Sequence, residues 1–473
     1  MNEPVPAVRH ATAPVDRVSW REKFGLGFGR MVADGTHGTL HVLVNPIYNM
    51  TLGVNPAWLS TTLFVQRLVD AVLDPVWGRF SDNFRSRWGR RLPLIAAAVL
   101  PLALLFGALW WFPREAGTSY LFGHFLLVSL VFYAAHSLYA MPLGGLLLEA
   151  TDDYHERSRL VGVVIAFGFA FQIGSQWLFY LTHKFSDTIT GLRWVTGGCV
   201  VFFIIAGFLP VLLCRERNYT RVSARQPPTS VFAALRAVRG DRAFLSLLGA
   251  RFAAAFGYNL VGMLGIYMNN YYVCGGDLQQ GAWVYSWIGS SFHVAAIIGS
   301  LWAYPWLARR FGKKRTLQIA AGVLITGCVS KLVLYQPGHP WLQFFVLSAN
   351  GASNAGITLM ATAMLGDIAD LDEYRSGLRR EALFTGLMNW AEKAGNSLGS
   401  WIAGFVLVWI GFNAKLGAQS PQTLALMKYC YAAAPVAGAV LALGFIHRYD
   451  LTEARAYEIK DALAARRAVP VPS

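Results

Sequence analysis

The sequence consists mainly of apolar blocks about twenty residues long, which alternate with short polar connections. Such a block, wound into an α-helix, crosses the roughly 30 Å hydrocarbon core of a lipid bilayer. Because water is absent there, the backbone must satisfy its own hydrogen bonds, and a helix does this within one segment. With 55% hydrophobic and 14% charged residues over 473 positions, the chain is predicted to be an all-α membrane protein that crosses the bilayer many times.

Twelve membrane spans are predicted from these blocks and are numbered in chain order. They cover residues 25–50, 57–78, 92–112, 119–148, 159–182, 194–214, 243–273, 282–308, 316–335, 341–365, 382–411 and 424–447. A basic connection separates spans 1–6 from spans 7–12. The predicted organisation is a cytoplasmic N-terminal tail at 1–23, a six-helix half at 24–214, a basic cytoplasmic linker at 215–242, a second six-helix half at 243–447 and a cytoplasmic C-terminal tail at 448–473.

The net charge of +15 is unevenly distributed along the chain. Arginine and lysine concentrate in the connections after spans 2, 6 and 8, whereas the alternate connections carry almost none. Because positively charged loops stay in the cytoplasm, both termini are predicted to be cytoplasmic. The basic balance therefore indicates orientation in a membrane and excludes a nucleic-acid-binding protein. The first 23 residues are polar and lack the apolar core of a cleavable signal.

A short basic motif occurs at equivalent places in the two halves. RSRWGRR at 85–91 follows span 2, and ARRFGKK at 308–314 follows span 8. Two six-span halves with short connections resemble the major facilitator fold, in which parallel repeats surround a binding site near the middle of the membrane. The connections are too short to hold a catalytic domain outside the membrane, so the chain is predicted not to be an enzyme.

Span 2 carries three ionisable residues where apolar ones are expected. Arg67, Asp70 and Asp74 follow i, i+3, i+7 spacing and so share one helix face. Each ionisable group in a span costs roughly 2.5–3.5 kcal/mol, so such groups usually line a cavity. Two carboxylates one turn apart repel each other, which favours a shared proton or a bound cation such as Na⁺. A structural network of ion pairs is the alternative.

Polar side chains on spans 1, 5 and 11 are candidates for contact with a solute. Spans of this kind place their polar groups toward a central cavity rather than toward lipid. The predicted substrate-binding residues are Asp34, Arg30, His37, His41, Gln172, Gln176, Asn389, Trp390 and Lys393. Arg30 or Lys393 could receive a carboxylate, which keeps a hexuronide among the possible substrates.

Three segments carry a resemblance to a known family. They are DAVLDPVWGRFSDNFRSRWGRRLP (70–93), PLGGLLLEATDDYHERSRL (142–160) and GDIADLDEYRSGLRREALFTGLMNWAEKAG (366–395). In order and position they resemble the glycoside–pentoside–hexuronide:cation symporters, a branch of the major facilitator superfamily. The likeness extends over nearly the whole chain.

The resemblance implies roles for individual residues. Asp70, Asp74 and Ser137 fall where the family binds its coupling cation, Lys393 matches a span-11 lysine near that site, and Asp34 matches a sugar-binding aspartate. Arg157, Asp367, Asp370, Glu373 and Arg379 match charged cytoplasmic positions that latch the two halves. The chain departs from the melibiose-type pattern at Ala140, Gly144 and Ile165, where an aspartate, a tryptophan and an arginine are expected. A galactoside is therefore doubtful as the substrate, whereas the cation site is intact.

These observations predict a secondary active transporter that couples a cation, Na⁺ or H⁺, to the symport of a sugar, glycoside or hexuronide by alternating access. We expect no cofactor and no resident metal other than Na⁺ at Asp70 and Asp74, and a monomer in the inner membrane of a bacterium, in contact with lipid, sugar and a monovalent cation. A transporter of an amphipathic or lipid-like solute is the alternative. A membrane enzyme would need a catalytic cluster near one interface, and a sensor would need a long cytoplasmic domain. The sequence leaves open which sugar, which ion and what stoichiometry.

Overall fold

The computed structural model describes residues 17–151, 154–216, 241–260, 262–376, 381–414, 416 and 418–468. Spans 1 to 6 are the helices Trp20–Val44, Pro56–Asn83, Leu92–Ala108, Thr118–Glu149, Tyr154–Ser175 and Thr188–Leu213. Spans 7, 8 and 10 to 12 are Arg242–Asn259, Leu278–Ile298, Gln343–Ser376, Glu381–Trp409 and Pro421–His447. Span 9 is the part of Tyr304–Leu334 that follows a kink at Gly312. Each predicted span thus contains a long helix.

Shorter helical pieces extend or join these spans. A π-helix at Asn45–Thr51 continues span 1, Leu178–Thr182 continues span 5, and Leu264–Tyr267 with the π-helix Met268–Val273 continues span 7. The π-helix Gly299–Ala303 links span 8 to Tyr304, and a 3₁₀ turn at Pro340–Leu342 precedes span 10. A final helix, Glu453–Ala468, lies within the predicted C-terminal tail. Its Ile459 and Leu463 are buried in the core of the second half, because its apolar side packs against span 10.

Six helical stretches of the described residues are apolar and long enough to cross a membrane, by length and composition alone. One of them, Leu278–Leu334, contains both span 8 and span 9, and the 17-residue apolar helix of span 3 falls just short in length. Spans 1, 2 and 11 are less apolar because they contain charged residues from which a site was predicted, whereas span 10 contains uncharged polar residues such as Asn350 and Asn354. Charged or polar side chains, and not a lack of helix, account for the lower hydropathy of these four spans.

The packing of the helices repeats between the halves. Span 1 packs against spans 5 and 6, and span 7 packs in the same way against spans 11 and 12. Span 4 contacts spans 2 and 3 as span 10 contacts spans 8 and 9, and span 3 contacts span 6 as span 9 contacts span 12. Between the halves, span 2 packs against span 11 and span 5 against span 8. In the repeat, span 2 corresponds to span 8 and span 11 to span 5. Exchanging the two halves therefore turns the contact between spans 2 and 11 into the contact between spans 8 and 5.

The basic motifs that suggested duplication are structurally equivalent. Gly89 and Gly312 occupy the same place in RSRWGRR and ARRFGKK, and both adopt positive φ, +103° and +78°, which glycine tolerates without steric cost. The basic residue that follows each glycine pairs with an acid at the end of a span: Arg90 with Glu149, and Lys313 with Asp367 at 2.6 Å between Nζ and Oδ2. The repeat visible in the sequence therefore reflects a shared turn and a shared ion pair.

We call the end of the helix bundle that carries these two motifs the basic face. Several side-chain contacts between the halves lie near the face opposite to it. Tyr267 donates a hydrogen bond to Asn49 Oδ1 at 2.7 Å, Trp177 Nε1 donates to Ser290 Oγ at 3.1 Å, and Trp401 Nε1 donates to the hydroxyl of Thr61 at 3.2 Å. The two halves are therefore closed against each other at the face opposite the basic motifs.

Candidate cation and substrate site

Asp70 and Asp74 of span 2 meet Ser137 of span 4 inside the first half. The Ser137 Oγ lies 2.6 Å from Asp74 Oδ1 and 3.0 Å from Asp70 Oδ1, within hydrogen-bond distance of both. Ser137 is fully buried, and Asp70 is 6% exposed. Helical spacing places the two aspartates on one face of span 2, and packing of span 2 against span 4 brings the hydroxyl between them. The three predicted cation-binding residues thus form one cluster.

Two cations complete this cluster, one from each half. Lys393 of span 11 places its Nζ 3.0 Å from Asp74 Oδ2 and 3.7 Å from Asp70 Oδ2. Arg67 Nη1 lies 3.8 Å from Asp70 Oδ2. With both carboxylates ionised, two negative and two positive charges balance. Because Lys393 belongs to the second half, this ion pair crosses the interface between spans 2 and 11.

The donor set of the cluster suits a small monovalent cation. Four carboxylate oxygens and one hydroxyl oxygen converge within a few ångströms, and hard ions such as Na⁺ prefer oxygen ligands. Among the described residues, no group of three or more histidine, cysteine or acidic side chains is arranged to hold a metal ion. An ion bound between the aspartates would compete with the Lys393 ammonium for the same oxygens. Binding of a cation at this place would therefore be coupled to the contact between the halves through Asp74.

A cavity of about 340 Å³ lies beside this cluster, between the two halves. Its polar lining comes from spans 1, 2, 5, 7 and 11, and consists of His37, His41, Arg67, Gln172, Gln176, Asn259, Asn396, Ser397 and Ser400. Spans 1 and 5 approach each other closely at this cavity because Gly38 leaves room for the Gln172 amide. The Oε1 of Gln172 would lie 2.6 Å from a Cβ placed on Gly38. Amides, hydroxyls and imidazoles are the groups that bind a solute rich in hydroxyls.

The histidines of span 1 form part of a buried aromatic group. The rings of His37 and His41 lie 4.6 Å apart between centroids, and Tyr133 and His136 of span 4 lie against His37. His136 Nε2 is 2.9 Å from the Ala33 carbonyl oxygen. The Nε2 atoms of His37 and His41 are buried and have no hydrogen-bond partner among the described residues. Both residues line the adjoining cavity, although these two atoms are themselves buried.

The remaining predicted substrate residues are placed differently. Arg30 Nε and Asp34 Oδ2 form an ion pair at 2.6 Å, one helical turn apart on span 1, and neither residue lines the cavity. The Asp34 carboxylate packs against Gly168 of span 5. Asn389 and Trp390 are exposed on span 11 and also do not line the cavity. Lys393 does not line the cavity either, and substrate contact remains a prediction for all of the predicted substrate residues.

The predicted cytoplasmic latch residues lie at the basic face. Arg157 donates to the Thr151 carbonyl at 3.0 Å, and Asp367 pairs with Lys313, both within their own halves. Asp370 and Glu373 lie on the last turns of span 10. Arg379 lies outside the described residues. The structure thus places the four described members of this set at the predicted end of the bundle, and a latch between halves remains a prediction.

The three residues that depart from the melibiose-type pattern are partly buried or exposed. Ala140 is half-buried against the core of the first half, and Ile165 is 46% exposed. Gly144 borders open space, because a Cβ placed there would meet nothing within 4 Å.

Several polar residues near the cavity were not predicted from the sequence. Arg251 of span 7 pairs with Glu392 of span 11 at 2.5 Å, and Asn259 Nδ2 donates to Asn396 Oδ1 at 2.6 Å. Both pairs join spans that are more than a hundred residues apart in sequence. Arg251 lies inside a predicted apolar span, and an ionisable residue in that position is the signal that could have identified it.

Two six-helix halves related by a two-fold repeat, with charged and polar side chains around a cavity between them, define a membrane transporter of the major facilitator class. The match to the family described as MFS/sugar transport protein covers residues 25–453, and the chain belongs to that family.

Individual relatives agree with this assignment. The chain is 23% identical to the glucuronide carrier protein homolog of Escherichia coli (strain K12), covering 96% of this chain and 97% of the relative. It is 23% identical to the putative glycoside/cation symporter YagG of the same organism, covering 96% of each. Its fold resembles the crystal structure of the nucleoside transporter NupG, with a TM-score of 0.63, 14% identity and coverage of 91% of this chain and 100% of the other.

Proposed function

We propose that the protein is a symporter that uses the downhill entry of a monovalent cation to accumulate a sugar or glycoside. The observation that carries this proposal is the Asp70–Asp74–Ser137 cluster, which holds oxygen ligands for an ion and contacts Lys393 of the other half. The ion is bound where the halves meet. Its binding can therefore change how they pack, which alternating access requires.

The coupling follows from charge balance. Without the ion, the ammonium of Lys393 neutralises Asp74 and links span 2 to span 11. When a cation binds between the aspartates, it takes over this role and releases Lys393 toward the adjoining cavity. A sugar bound in that cavity can then contact the released ammonium together with the amides of Gln172 and Gln176. Cation and sugar thus stabilise the same state, and their binding is reciprocally linked.

The lining of the cavity favours a sugar over a lipid-like solute. Its side chains are mainly amides, hydroxyls, imidazoles and one guanidinium, and such groups pair with hydroxyls rather than with hydrocarbon. Relatives described as a glucuronide carrier homolog and a putative glycoside/cation symporter support the same substrate class.

The orientation follows from the distribution of charge. The arginine-rich connections place the basic face and both termini in the cytoplasm. The contacts between the halves near the opposite face then close the external side, and the described conformation opens inward. We propose that the protein acts as a monomer in a bacterial inner membrane, since each chain contains both halves of the transport site and the relatives compared above are bacterial.

A ligand screen on the purified protein tests this proposal. Thermal unfolding is followed with a panel of methyl glycosides and, separately, with amphipathic solutes, each at low and at high Na⁺ and at two pH values. We expect at least one glycoside to raise the unfolding temperature, and to do so more strongly when the coupling ion is present. Stabilisation by amphipathic solutes alone, without dependence on Na⁺ or pH, would rule out cation-coupled sugar transport.

A further inference from the structure

A second cavity, about 180 Å³ in volume, is lined by residues of the second half and by Gln176 of the first, and one of its walls is a buried lysine, Lys331 of span 9. Lys331 is 2% exposed. The polar lining of this cavity is Lys331, Gln176, Asn350, His293 and the tyrosines 258, 285 and 431. This set combines one cation, two amides, an imidazole and three aromatic hydroxyls. We call it the Lys331 pocket.

The protein supplies only part of what the Lys331 ammonium needs. Its Nζ donates to the Tyr431 carbonyl at 3.1 Å, an acceptor that is free because Pro435 has no N–H to donate one turn later. The same Nζ lies 3.6 Å from the centroid of the Tyr431 ring. An ammonium has three donors. The Cys328 side chain, one turn earlier on span 9, is a further hydrogen-bond partner. A carbonyl, a thiol and an aromatic face compensate a buried charge only partly, because none of them is a carboxylate.

Other cations deep in the described spans are paired with carboxylates. Arg30 pairs with Asp34, and Arg251 pairs with Glu392. Arg67 and Lys393 share Asp70 and Asp74. For Lys331, no carboxylate of the described residues lies within the 4.0 Å that defines an ion pair. Its charge is therefore the one that a ligand is best placed to neutralise.

The Lys331 pocket adjoins the cavity between the halves. Gln176 lines both the Lys331 pocket and the 340 Å³ cavity, and its side chain packs against Gly289 of span 8. A third cavity, of about 210 Å³, shares Tyr258 and Phe292 with the Lys331 pocket. The same third cavity shares Asn259 and Asn396 with the 340 Å³ cavity. The two cavities are therefore neighbours, and a solute in the 340 Å³ cavity that reaches past Gln176 would meet the Lys331 pocket.

We propose that Lys331 binds the acidic group of the transported solute, and that the substrate is an anionic sugar such as a hexuronide. This inference rests on the proposed sugar transport and narrows its substrate class. The ammonium neutralises the carboxylate, while the hydroxyls of Tyr258 and Tyr285 and the amide of Asn350 line the pocket around that acidic group. Arg30 and Lys393, which the sequence suggested for this role, line neither the Lys331 pocket nor the 340 Å³ cavity.

Matched pairs of ligands test the proposal. Calorimetry on the purified full-length protein, at a saturating concentration of the coupling ion, compares methyl glucuronide with methyl glucoside and methyl galacturonide with methyl galactoside. We expect at least one acid to bind about ten-fold more tightly than its neutral partner, since a charge-assisted hydrogen bond is added. Lys331→Gln keeps a donor for the Tyr431 carbonyl but removes the charge, and should abolish the preference. Lys331→Arg should retain it.

Lys428→Met is the matched control. Lys428 is a half-buried lysine of span 12 that hydrogen-bonds to Tyr272 and to the Tyr335 carbonyl and does not line the Lys331 pocket. Its loss should leave the preference unchanged. A wild-type protein that binds neutral glycosides with no preference for acids would overturn the inference and leave the proposed transport intact. So would a preference that survives in Lys331→Gln. If no sugar binds with Na⁺ or at any pH, the inference and the proposed function both fail.

Discussion

Replacing Asp74 by asparagine removes one charge from the cation cluster while conserving the shape of the side chain. The amide oxygen can still accept the 2.6 Å hydrogen bond from Ser137. The change leaves Asp70 as the single negative charge beside Arg67 and Lys393, so the cluster shifts from neutral to a net charge of +1. A cation entering the cluster is then repelled.

The size of the effect follows from Coulomb's law. A unit charge about 4 Å from the ion, at an effective dielectric constant of about 20, contributes roughly 4 kcal/mol. This corresponds to about three orders of magnitude in affinity, at about 1.36 kcal/mol for each factor of ten. The Asp74 side chain is only 16% exposed, so solvent screens the interaction weakly. We therefore expect Asp74→Asn to bind the coupling ion at least about a hundred-fold more weakly.

The assay is a titration of the purified protein with the coupling ion, Na⁺ or H⁺, at a fixed glycoside concentration, followed by thermal unfolding. Ser137→Ala removes one neutral ligand and should shift the half-saturation point by about ten-fold. Asp34→Asn removes an equivalent charge from the Arg30 pair, outside the cluster, and should leave the ion titration unchanged when that titration is repeated without glycoside. Exchange of sugar down its own gradient should persist in Asp74→Asn. A wild-type ion titration in Asp74→Asn would refute the cation assignment.

Four further predictions concern the coupling ion, sugar binding, the stability of the fold and the orientation in the membrane. Asp70→Asn should impair coupling to Na⁺ more than coupling to H⁺ in proteoliposomes, because Na⁺ needs more oxygen ligands than a proton does; equal loss of both would contradict this. Asp34→Ala should weaken glycoside binding about ten-fold in calorimetry and leave ion binding unchanged, and an unchanged sugar affinity would make Asp34 a structural partner of Arg30. Gly312→Ala should lower stability by roughly 1–2 kcal/mol, because alanine tolerates φ of +78° poorly; an unchanged unfolding temperature would argue against the turn. Reporter fusions at Gly117 should be external and at Ser223 cytoplasmic, and an external Ser223 would overturn the orientation.

The fold could be predicted from the sequence because its determinants are local. Apolar blocks set the number of spans, and the arginine-rich connections set the predicted orientation. The two basic motifs also predicted the repeat, and the matching turns at Gly89 and Gly312 agree with it. The ends of the helices were less predictable, since span 2 continues to Asn83 and span 10 to Ser376. These extensions lie beyond the predicted apolar blocks, where hydropathy no longer reports on the backbone.

The candidate site could be predicted only where one helix contains the relevant spacing. Asp70 and Asp74 are one turn apart, so periodicity alone places them together. The contact between Asp74 and Lys393 joins residues 319 positions apart, and only the family resemblance suggested it. The partners of Lys331 depend on a carbonyl freed by Pro435 in another span, which no local pattern in span 9 reveals. For Arg30 and Asp34, the local spacing led to a different result. Their i, i+4 spacing favours an ion pair between them, and neither residue lines the cavity.

The central claim is that cation entry drives sugar accumulation through the Asp70–Asp74 cluster. Proteoliposomes containing the wild-type protein, with an inwardly directed Na⁺ or H⁺ gradient and a membrane potential of about 100 mV, are given a radiolabelled glycoside that binds the purified protein. For a neutral glycoside, one charge per sugar supplies about 2.3 kcal/mol, enough for roughly fifty-fold accumulation before the ion gradient is added. For an anionic sugar the charges of the cation and the substrate cancel, so the ion gradient alone drives accumulation. We predict that the wild type accumulates the sugar, that an ionophore abolishes the accumulation, and that Asp74→Asn only equilibrates it. Accumulation without an ion gradient or potential, or mere equilibration by the wild type, would contradict the account.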